Sequence, residues 1–129
     1  MYLIDTNILS HLVQKNIKIK TKFGEFQDQI YLSSPVHSEC LYGALKKESK
    51  ILSYFYEVLF DDYKYIAYGK EDSIHFATVK NDLRKKGITI EDFDLMIAAQ
   101  ALAHNLILVT NNTKHFENID GLKLEDWSM

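Results

Sequence analysis

Two acidic residues stand where the surrounding sequence is apolar. Asp94 opens the segment Asp94–Ala103, which is apolar on nearly every side and predicts a buried helix. Asp5 directly follows Tyr2–Ile4, a short apolar segment that predicts a strand. A carboxylate among apolar side chains is costly unless it is protonated, paired with a cation or bound to a metal. The two acids therefore predict a site with carboxylate chemistry.

Purely structural roles for these acids are the main alternative. The helix dipole favours an acid in the first turn of a helix, but Glu91 and Asp92 already supply negative charge there. Asp94 instead shares a helix face with the apolar residues three and four positions further on. Asp5 is a potential N-cap of the next helix, although the two residues after it are also suitable caps. We therefore favour a functional role for both acids.

The composition is that of one soluble globular domain, which we place at residues 1–129. No apolar run is long enough to span a membrane, and Met1 is followed at once by strand-like residues, which leaves no room for a signal peptide. The single Cys40 excludes an internal disulfide and fits a reducing compartment, so we expect a cytoplasmic protein. The formal charge of −3 gives no general indication of nucleic-acid binding, so any such surface must be local.

Strand-like and helix-like segments alternate along the chain. This alternation predicts an α/β fold with a central parallel, twisted sheet of roughly five strands and helices on both faces. Thr6 or Asn7 is the predicted cap of the first helix, and a later helix has Ser34 as its predicted N-cap and Pro35 as its first residue. Ligands bind such sheets beyond the carboxyl ends of the strands, where Asp5 lies. The predicted strands are Tyr2–Ile4, Ile30–Leu32, Lys64–Tyr68, Leu106–Thr110 and Leu122–Glu125.

A series of short motifs occurs in an order that resembles one protein family. Each motif alone has low specificity, but the ordered set spans the chain. The motifs are Asp5–Asn7, Ser33–Gly43, Leu83–Gly87, Asp94–Leu102, Leu108–Phe116, Gly121–Leu122 and Trp127. With these motifs in this order the sequence resembles the PIN-domain ribonucleases, and most closely the VapC toxins of bacterial toxin–antitoxin pairs.

The resemblance implies a single PIN-like domain and a metal-dependent endoribonuclease that cleaves RNA and silences translation when its antitoxin is degraded. It implies that Asp5, Glu39 and Asp94 are catalytic residues and metal ligands, with Thr6 and Asn7 orienting Asp5 by hydrogen bonds. Glu39 rests on the resemblance alone, since its position otherwise predicts a solvated helix surface. Clustered carboxylates stay ionised together only with a cation among them, and oxygen ligands suit Mg²⁺ or Mn²⁺. The implied partners are RNA, a small VapB-like antitoxin and a second copy in a homodimer, with no membrane.

The fourth catalytic position departs from the family pattern. Many PIN domains carry an Asp two residues after the Thr that ends the fourth strand, whereas this chain has Asn112. VapC toxins with Asn at this position often carry an acid three residues later, where this chain has His115. Asn112 still offers a carbonyl oxygen, so we retain it as a catalytic residue and leave the number of metals, one or two, open. His115 is a candidate contact to substrate phosphate or a proton donor, and Glu117 is an alternative acid.

Three other functions remain as alternatives. The first is a PIN-like binding module that has lost catalysis and still engages an antitoxin or RNA. The second is a flavodoxin-like phosphoacceptor with Asp5 as nucleophile, although Asn7 stands where haloacid-dehalogenase-like enzymes usually have a second Asp. The third, a dinucleotide-binding protein, lacks the Gly-x-Gly-x-x-Gly motif after the first strand. The basic cluster of Lys80 and Arg84–Lys86 is a candidate surface for RNA phosphates or for acidic antitoxin residues.

Overall fold

Five strands and seven helices alternate along the chain, and the computed structural model describes all 129 residues. The strands are β1 (Tyr2–Ile4), β2 (Ile30–Ser33), β3 (Lys64–Ile66), β4 (Ile107–Val109) and β5 (Leu124–Glu125). The helices are α1 (Thr6–Val13), α2 (Ile17–Glu25), α3 (Ser34–Lys46), α4 (Lys50–Asp62), α5 (Lys70–Lys85), α6 (Asp92–Ala103) and α7 (Thr113–Phe116). None of the helices has the length and apolar character needed to cross a membrane. The predicted alternation of strands and helices is confirmed.

All five strands run parallel, in the order β3-β2-β1-β4-β5. Strand β1 is central, and its Leu3 pairs with Tyr31 of β2 and with Leu108 of β4. The chain proceeds from β1 to β2 and β3 on one side, and β4 and β5 lie on the other. Strand order therefore reverses between β1 and β4, and such a reversal opens a binding crevice at the carboxyl ends of the two strands. Asp5 follows β1 and Thr110 follows β4 at this edge.

The two central strands and α6 form the middle of the hydrophobic core. Leu3, Ile4, Leu108 and Val109 have no solvent-exposed surface. Helix α6 is buried nearly all round, as its apolar sequence predicts, because the sheet and helices α3 and α5 pack against it. This packing fixes the first turn of α6, which carries Asp94. The buried residues of α6 are Leu95, Ile97, Ala98, Ala99, Gln100 and Ala101.

A buried polar contact joins the start of α5 to the end of α6. Asp72 Oδ2 accepts hydrogen bonds from the backbone N–H of Gly69 at 2.7 Å and from Gln100 Nε2 at 3.3 Å. His104 Nε2 lies 3.2 Å from Asp72 Oδ1. Because Asp72 and Gln100 are both buried, these bonds fix the packing of the two helices relative to each other. They therefore help to hold α6 in place beneath the predicted site.

The start of α3 and the end of β3 differ from the sequence prediction. Helix α3 begins at Ser34 itself, with Ser33 at the N-cap, so the predicted cap is wrong by one residue. Ser34 Oγ instead accepts a hydrogen bond from the backbone N–H of Tyr68 at 2.9 Å. Strand β3 ends at Ile66 rather than at Tyr68. The hydroxyl of Ser34 therefore binds the backbone of Tyr68 instead of capping α3, and Tyr68 lies beyond the end of β3.

Candidate active site

Asp5 lies at the end of β1 and is also the N-cap of α1. Its Oδ1 accepts the backbone N–H of Thr6 at 2.7 Å, so the predicted caps, Thr6 or Asn7, are wrong. Its Oδ2 accepts hydrogen bonds from Thr110 Oγ1 at 2.9 Å and from Asn7 Nδ2 at 3.3 Å. The residue is only 5% exposed. Three hydrogen bonds thus fix the orientation of a buried carboxylate.

The buried position of Asp5 changes its acidity. Burial raises the pKa of the Asp5 carboxyl from 3.8 to about 6. The negative charges of Asp94 and Glu39 add to this rise in pKa, whereas the hydrogen bonds from Thr110 and Thr6 oppose it. The structure therefore brings Glu39 and Asp94 close enough to Asp5 to act on its carboxylate electrostatically. A cation among them would offset both the burial of Asp5 and the mutual repulsion of the three carboxylates.

Glu39 and Asp94 reach the site from two different helices. Glu39 is an exposed residue of α3 and lies off the buried stripe that contains Val36 and Cys40. Asp94 is in the first turn of α6, and its side chain is 30% exposed. The cluster is therefore closed on the side of Asp5 and open to solvent on the side of the other two acids. A ligand has access from that open side.

His115 is a direct partner of Asp94. Its Nε2 lies 3.0 Å from Asp94 Oδ2, and its ring packs edge-on against Phe116 with 5.1 Å between ring centroids. From the sequence, His115 was predicted only as a phosphate contact or a proton donor. Its contact with Asp94 left no signal in the sequence, because it depends on how α7 packs against the start of α6.

Asn112, the fourth predicted position, lies at the rim of the site. It is the exposed N-cap residue of α7, and its backbone N–H donates to Thr110 Oγ1 at 3.1 Å. The backbone N–H of Asn111 donates to Asn7 Oδ1 at 3.1 Å. These bonds tie the turn after β4 to the residues that orient Asp5. They use the backbone of Asn112, so its side chain remains at the solvent-exposed rim.

The three acids offer suitable ligand atoms for a hard cation but are not gathered around one point. Asp5, Glu39 and Asp94 supply only carboxylate oxygens, the ligand type of Mg²⁺ and Mn²⁺. No three His, Cys, Asp or Glu side chains in the structure are arranged closely enough to hold one metal ion. Glu39 is exposed, so its side chain is free to change rotamer. The residues therefore fit a divalent cation in their chemistry, and its binding requires the carboxylates to move closer together.

Thr110 connects the elements of the site. In the sequence it was predicted only as the end of a strand. It is fully buried. Its hydroxyl donates to Asp5 Oδ2 and accepts hydrogen bonds from Asn7 Nδ2 at 3.2 Å and from the backbone N–H of Asn112 at 3.1 Å. The only signal in the sequence is a hydroxyl residue that closes an otherwise apolar strand.

We expect Thr110→Val to lower the free energy of unfolding by about 1–3 kcal/mol, because buried polar groups lose their partner. Urea denaturation of the metal-free protein at pH 7 measures this change. Thr78→Val is the matched control, since Thr78 is exposed on α5 and its hydroxyl donates to the carbonyl of Ile74 at 3.0 Å. Equal destabilisation by the two substitutions would contradict the role given to Thr110.

Comparison with known proteins places this arrangement in a family. The PIN domain family model matches residues 2–122. The chain is 32% identical over 130 residues to the tRNA(fMet)-specific endonuclease VapC of Shigella flexneri, with 98% of each chain covered. It is 31% identical to the ribonuclease VapC2 of Haemophilus influenzae, with 98% of this chain and 97% of the relative covered.

Solved structures of related complexes show the same fold. The structure of VapBC2 from Rickettsia felis, bound to a DNA fragment from its promoter, matches with a TM-score of 0.89 and 29% identity, and 98% of each chain is covered. DNA-bound VapBC from Salmonella typhimurium matches with a TM-score of 0.86 and 28% identity, over 98% of this chain and 97% of that one. Sequence and fold therefore agree over nearly the whole chain, which belongs to the PIN-domain family and, within it, to the VapC ribonucleases.

Proposed function

We propose that this protein is an endoribonuclease toxin that hydrolyses RNA phosphodiester bonds, inhibits translation and is neutralised by a cognate antitoxin. One observation carries the proposal: the buried carboxylate of Asp5, at the carboxyl end of the central strand, lies within electrostatic reach of both Glu39 and Asp94. It does so in a chain that resembles VapC ribonucleases over nearly its full length. Three carboxylates at a strand-order reversal are suited to binding a cation and a phosphate together.

We further propose that catalysis depends on Mg²⁺ or Mn²⁺ held by Asp5, Glu39 and Asp94. When bound, such an ion lowers the pKa of an attacking water and neutralises charge on the phosphate. The raised pKa of the buried Asp5 carboxyl supports this proposal, because the site as it stands favours added positive charge. The hydrogen bonds from Thr6, Asn7 and Thr110 hold Asp5 in one orientation, so this ligand is preorganised.

Asn112, at the fourth position, and His115, three residues later, act on the open side of the cluster. His115 holds Asp94 through the 3.0 Å contact between its Nε2 and Asp94 Oδ2, which limits the rotation of that carboxylate. Asn112 is exposed at the rim and offers an amide to the substrate without adding charge. In this proposal Asn112 contacts the RNA, and His115 positions Asp94.

Two partner chains follow from the proposal, a VapB-like antitoxin and a second copy of this chain in a homodimer. The related solved structures from Rickettsia felis and Salmonella typhimurium are VapBC complexes. Helices α3 and α4 of this chain expose an unusual number of large apolar side chains, which is typical of surfaces that bind another protein. They are Leu41, Tyr42, Leu45, Ile51, Tyr54 and Val58.

A second candidate function is a binding module without catalysis. It is favoured by the uncharged Asn112 at the fourth position and by the absence of three side chains arranged to hold a metal. In that case the chain would still bind an antitoxin or RNA. If the protein is an endoribonuclease, substitution of one of the three acids removes its effect on a host cell. If it is a binding module, the substitution leaves that effect unchanged.

Growth of a bacterial host after induction tests the proposed function. We expect the wild-type chain to arrest growth and to cleave RNA in the cell, and Asp5→Asn to do neither at equal expression. Co-expression of the cognate antitoxin should restore growth of cells that carry the wild type. Arrest by both the wild type and Asp5→Asn would instead favour the binding module, because its effect would not require the acid.

A further inference from the structure

A cavity of about 620 Å³ is lined in part by Leu95, the residue that follows Asp94 of the acidic cluster (Asp5, Glu39 and Asp94). It is formed by α5, the segment 87–90 and the first turn of α6. Its floor is apolar and includes Phe76, Leu83, Ile90 and Leu95. Because Leu95 directly follows Asp94, the cavity and the acidic cluster share the first turn of α6. None of the three acids of the cluster lines the cavity, so it is a separate site next to the predicted chemistry.

Basic and amide side chains surround this cavity. Lys80 and Arg84 are exposed and lie one helical turn apart on α5. Lys80 Nζ is 2.8 Å from Asp92 Oδ1, two residues before Asp94. Arg84 Nη2 donates to Asn81 Oδ1 at 3.0 Å, which leaves the amide N–H groups of Asn81 available to a ligand. The cavity thus combines an apolar floor with two basic side chains, of which Lys80 is paired with Asp92, and a hydrogen-bond donor at its edge.

We propose that this cavity binds one nucleotide of the RNA substrate, with the base against the apolar floor and a phosphate at Lys80 and Arg84. The proposal rests on the endoribonuclease function proposed above. Proteins bind single-stranded RNA by stacking bases on aromatic side chains and by neutralising phosphates with Lys and Arg. Phe76 supplies a partly exposed aromatic ring, and Lys80 Nζ lies 5.7 Å from its centroid. Base and phosphate contacts are therefore available side by side.

The position of the cavity favours RNA over an antitoxin peptide. A nucleotide held here adjoins the turn of α6 that carries Asp94, and in this proposal its neighbour along the strand lies at the acidic cluster. The whole chain has a formal charge of −3 and Lys80 is paired with Asp92, so the positive charge at the cavity is a local feature supplied by Arg84. Local positive charge next to catalytic acids is what a polyanionic substrate requires at the point of cleavage.

Titration of the metal-free protein with single nucleotides tests the site independently of catalysis. Amide chemical shifts are followed by NMR while each of the four nucleoside 5′-monophosphates, or ribose 5-phosphate, is added. We expect saturable shifts at Ala77, Asn81 and residues 87–90 with at least one nucleotide, and weaker ones with ribose 5-phosphate. Equal shifts with ribose 5-phosphate would overturn the proposal, because the base would then contribute nothing.

Ala77→Trp, which places a large ring at the edge of the cavity, should abolish these shifts. Thr78→Trp is the matched control, since Thr78 is the next exposed residue of α5 and does not line the cavity. In RNA cleavage we expect Ala77→Trp to raise KM at least tenfold with little change in kcat, and Thr78→Trp to leave both unchanged. Arg84→Ala, compared with Lys85→Ala, tests the phosphate contact without filling the cavity.

The remaining outcomes separate this site from the proposed function. Nucleotide binding by a wild-type protein that cleaves no RNA would overturn the endoribonuclease and leave the nucleotide site standing. Normal cleavage by Ala77→Trp, with no nucleotide-induced shifts, would overturn the site and leave the endoribonuclease standing. Shifts at the cavity produced by the antitoxin but by no nucleotide would also overturn the proposal and assign the cavity to that protein.

Discussion

We expect Asp94→Asn to lower the rate of RNA cleavage by about a hundred- to a thousandfold, the usual effect of removing one preorganised electrostatic group from an active site. The substitution keeps the size of the side chain and removes its charge. Since Asp94 lies in the first turn of α6 with 30% of its side chain exposed, the core around α6 should be unchanged. Cleavage of RNA by purified, antitoxin-free protein measures the effect.

Glu91→Gln is the control for this experiment. Glu91 is an exposed acid three residues earlier, at the N-cap position of the same helix, and its side chain makes no capping hydrogen bond. We expect Glu91→Gln to cleave RNA at the wild-type rate and Asp94→Asn to retain antitoxin binding. Cleavage by Asp94→Asn at the rate of the control would contradict a role for Asp94 in the reaction.

The second large effect is on stability and depends on pH. The pKa of Asp5 in the folded, metal-free protein is about 6, above its ordinary value of 3.8. The folded state therefore binds the proton more tightly than the unfolded state does, so its stability falls as pH rises through this interval and stays lower above it. A rise in pKa from 3.8 to about 6 corresponds to a loss of about 3 kcal/mol of unfolding free energy. Urea denaturation between pH 4 and pH 8 measures this loss.

Asp5→Asn should remove this loss, because asparagine carries no charge at any pH. We expect the unfolding free energy of the metal-free variant to change much less between pH 4 and pH 7.5 than that of the wild type does. The comparison is of pH dependence, because the amide also replaces an oxygen that accepts hydrogen bonds. Adding Mn²⁺ at pH 7.5 should stabilise the wild type, by about 2.7 kcal/mol at a hundredfold excess over its dissociation constant, and should stabilise Asp5→Asn much less. The control is Asp61→Asn, an exposed acid of α4. Equal stabilisation of all three proteins by Mn²⁺ would contradict a metal site at Asp5.

The general architecture and the position of Asp5 were predictable from the sequence because they depend on local patterns. The apolar segments Tyr2–Ile4 and Leu106–Thr110 predicted two of the five strands, and the second is observed as Ile107–Val109. The alternation of strands and helices predicted the parallel sheet. The parallel sheet in turn placed Asp5 at a carboxyl edge. The nearly uniform apolar character of α6 predicted its burial, since a helix with no polar face must be covered on all sides.

Details that depend on tertiary contacts were not predictable. Asp5 rather than Thr6 caps α1, because its Oδ1 accepts the N–H of Thr6 while Thr110 binds its other oxygen. The contact between His115 and Asp94 joins residues of two helices and follows from the packing of α7. Glu39 looks like an ordinary surface residue, and only its influence on Asp5 distinguishes it from other exposed acids. Such contacts leave no periodic signal in the sequence.

The departure at the fourth position has a consistent structural explanation. Asn112 has no charge to contribute, and the nearby His115 contacts Asp94 instead of adding a carboxylate. The negative charge of the site is therefore concentrated on Asp5, Glu39 and Asp94.

Cleavage of total bacterial RNA by the purified, antitoxin-free protein, in parallel reactions with Mn²⁺, with Mg²⁺ and with EDTA, tests most directly whether the reaction depends on a metal at the acidic cluster. We expect discrete cleavage products with a divalent ion and none with EDTA, and with either ion we expect Asp94→Asn to form them about a hundred- to a thousandfold more slowly. Cleavage that persists in EDTA, or that Asp94→Asn carries out at the wild-type rate, would contradict a metal-dependent reaction at the acidic cluster.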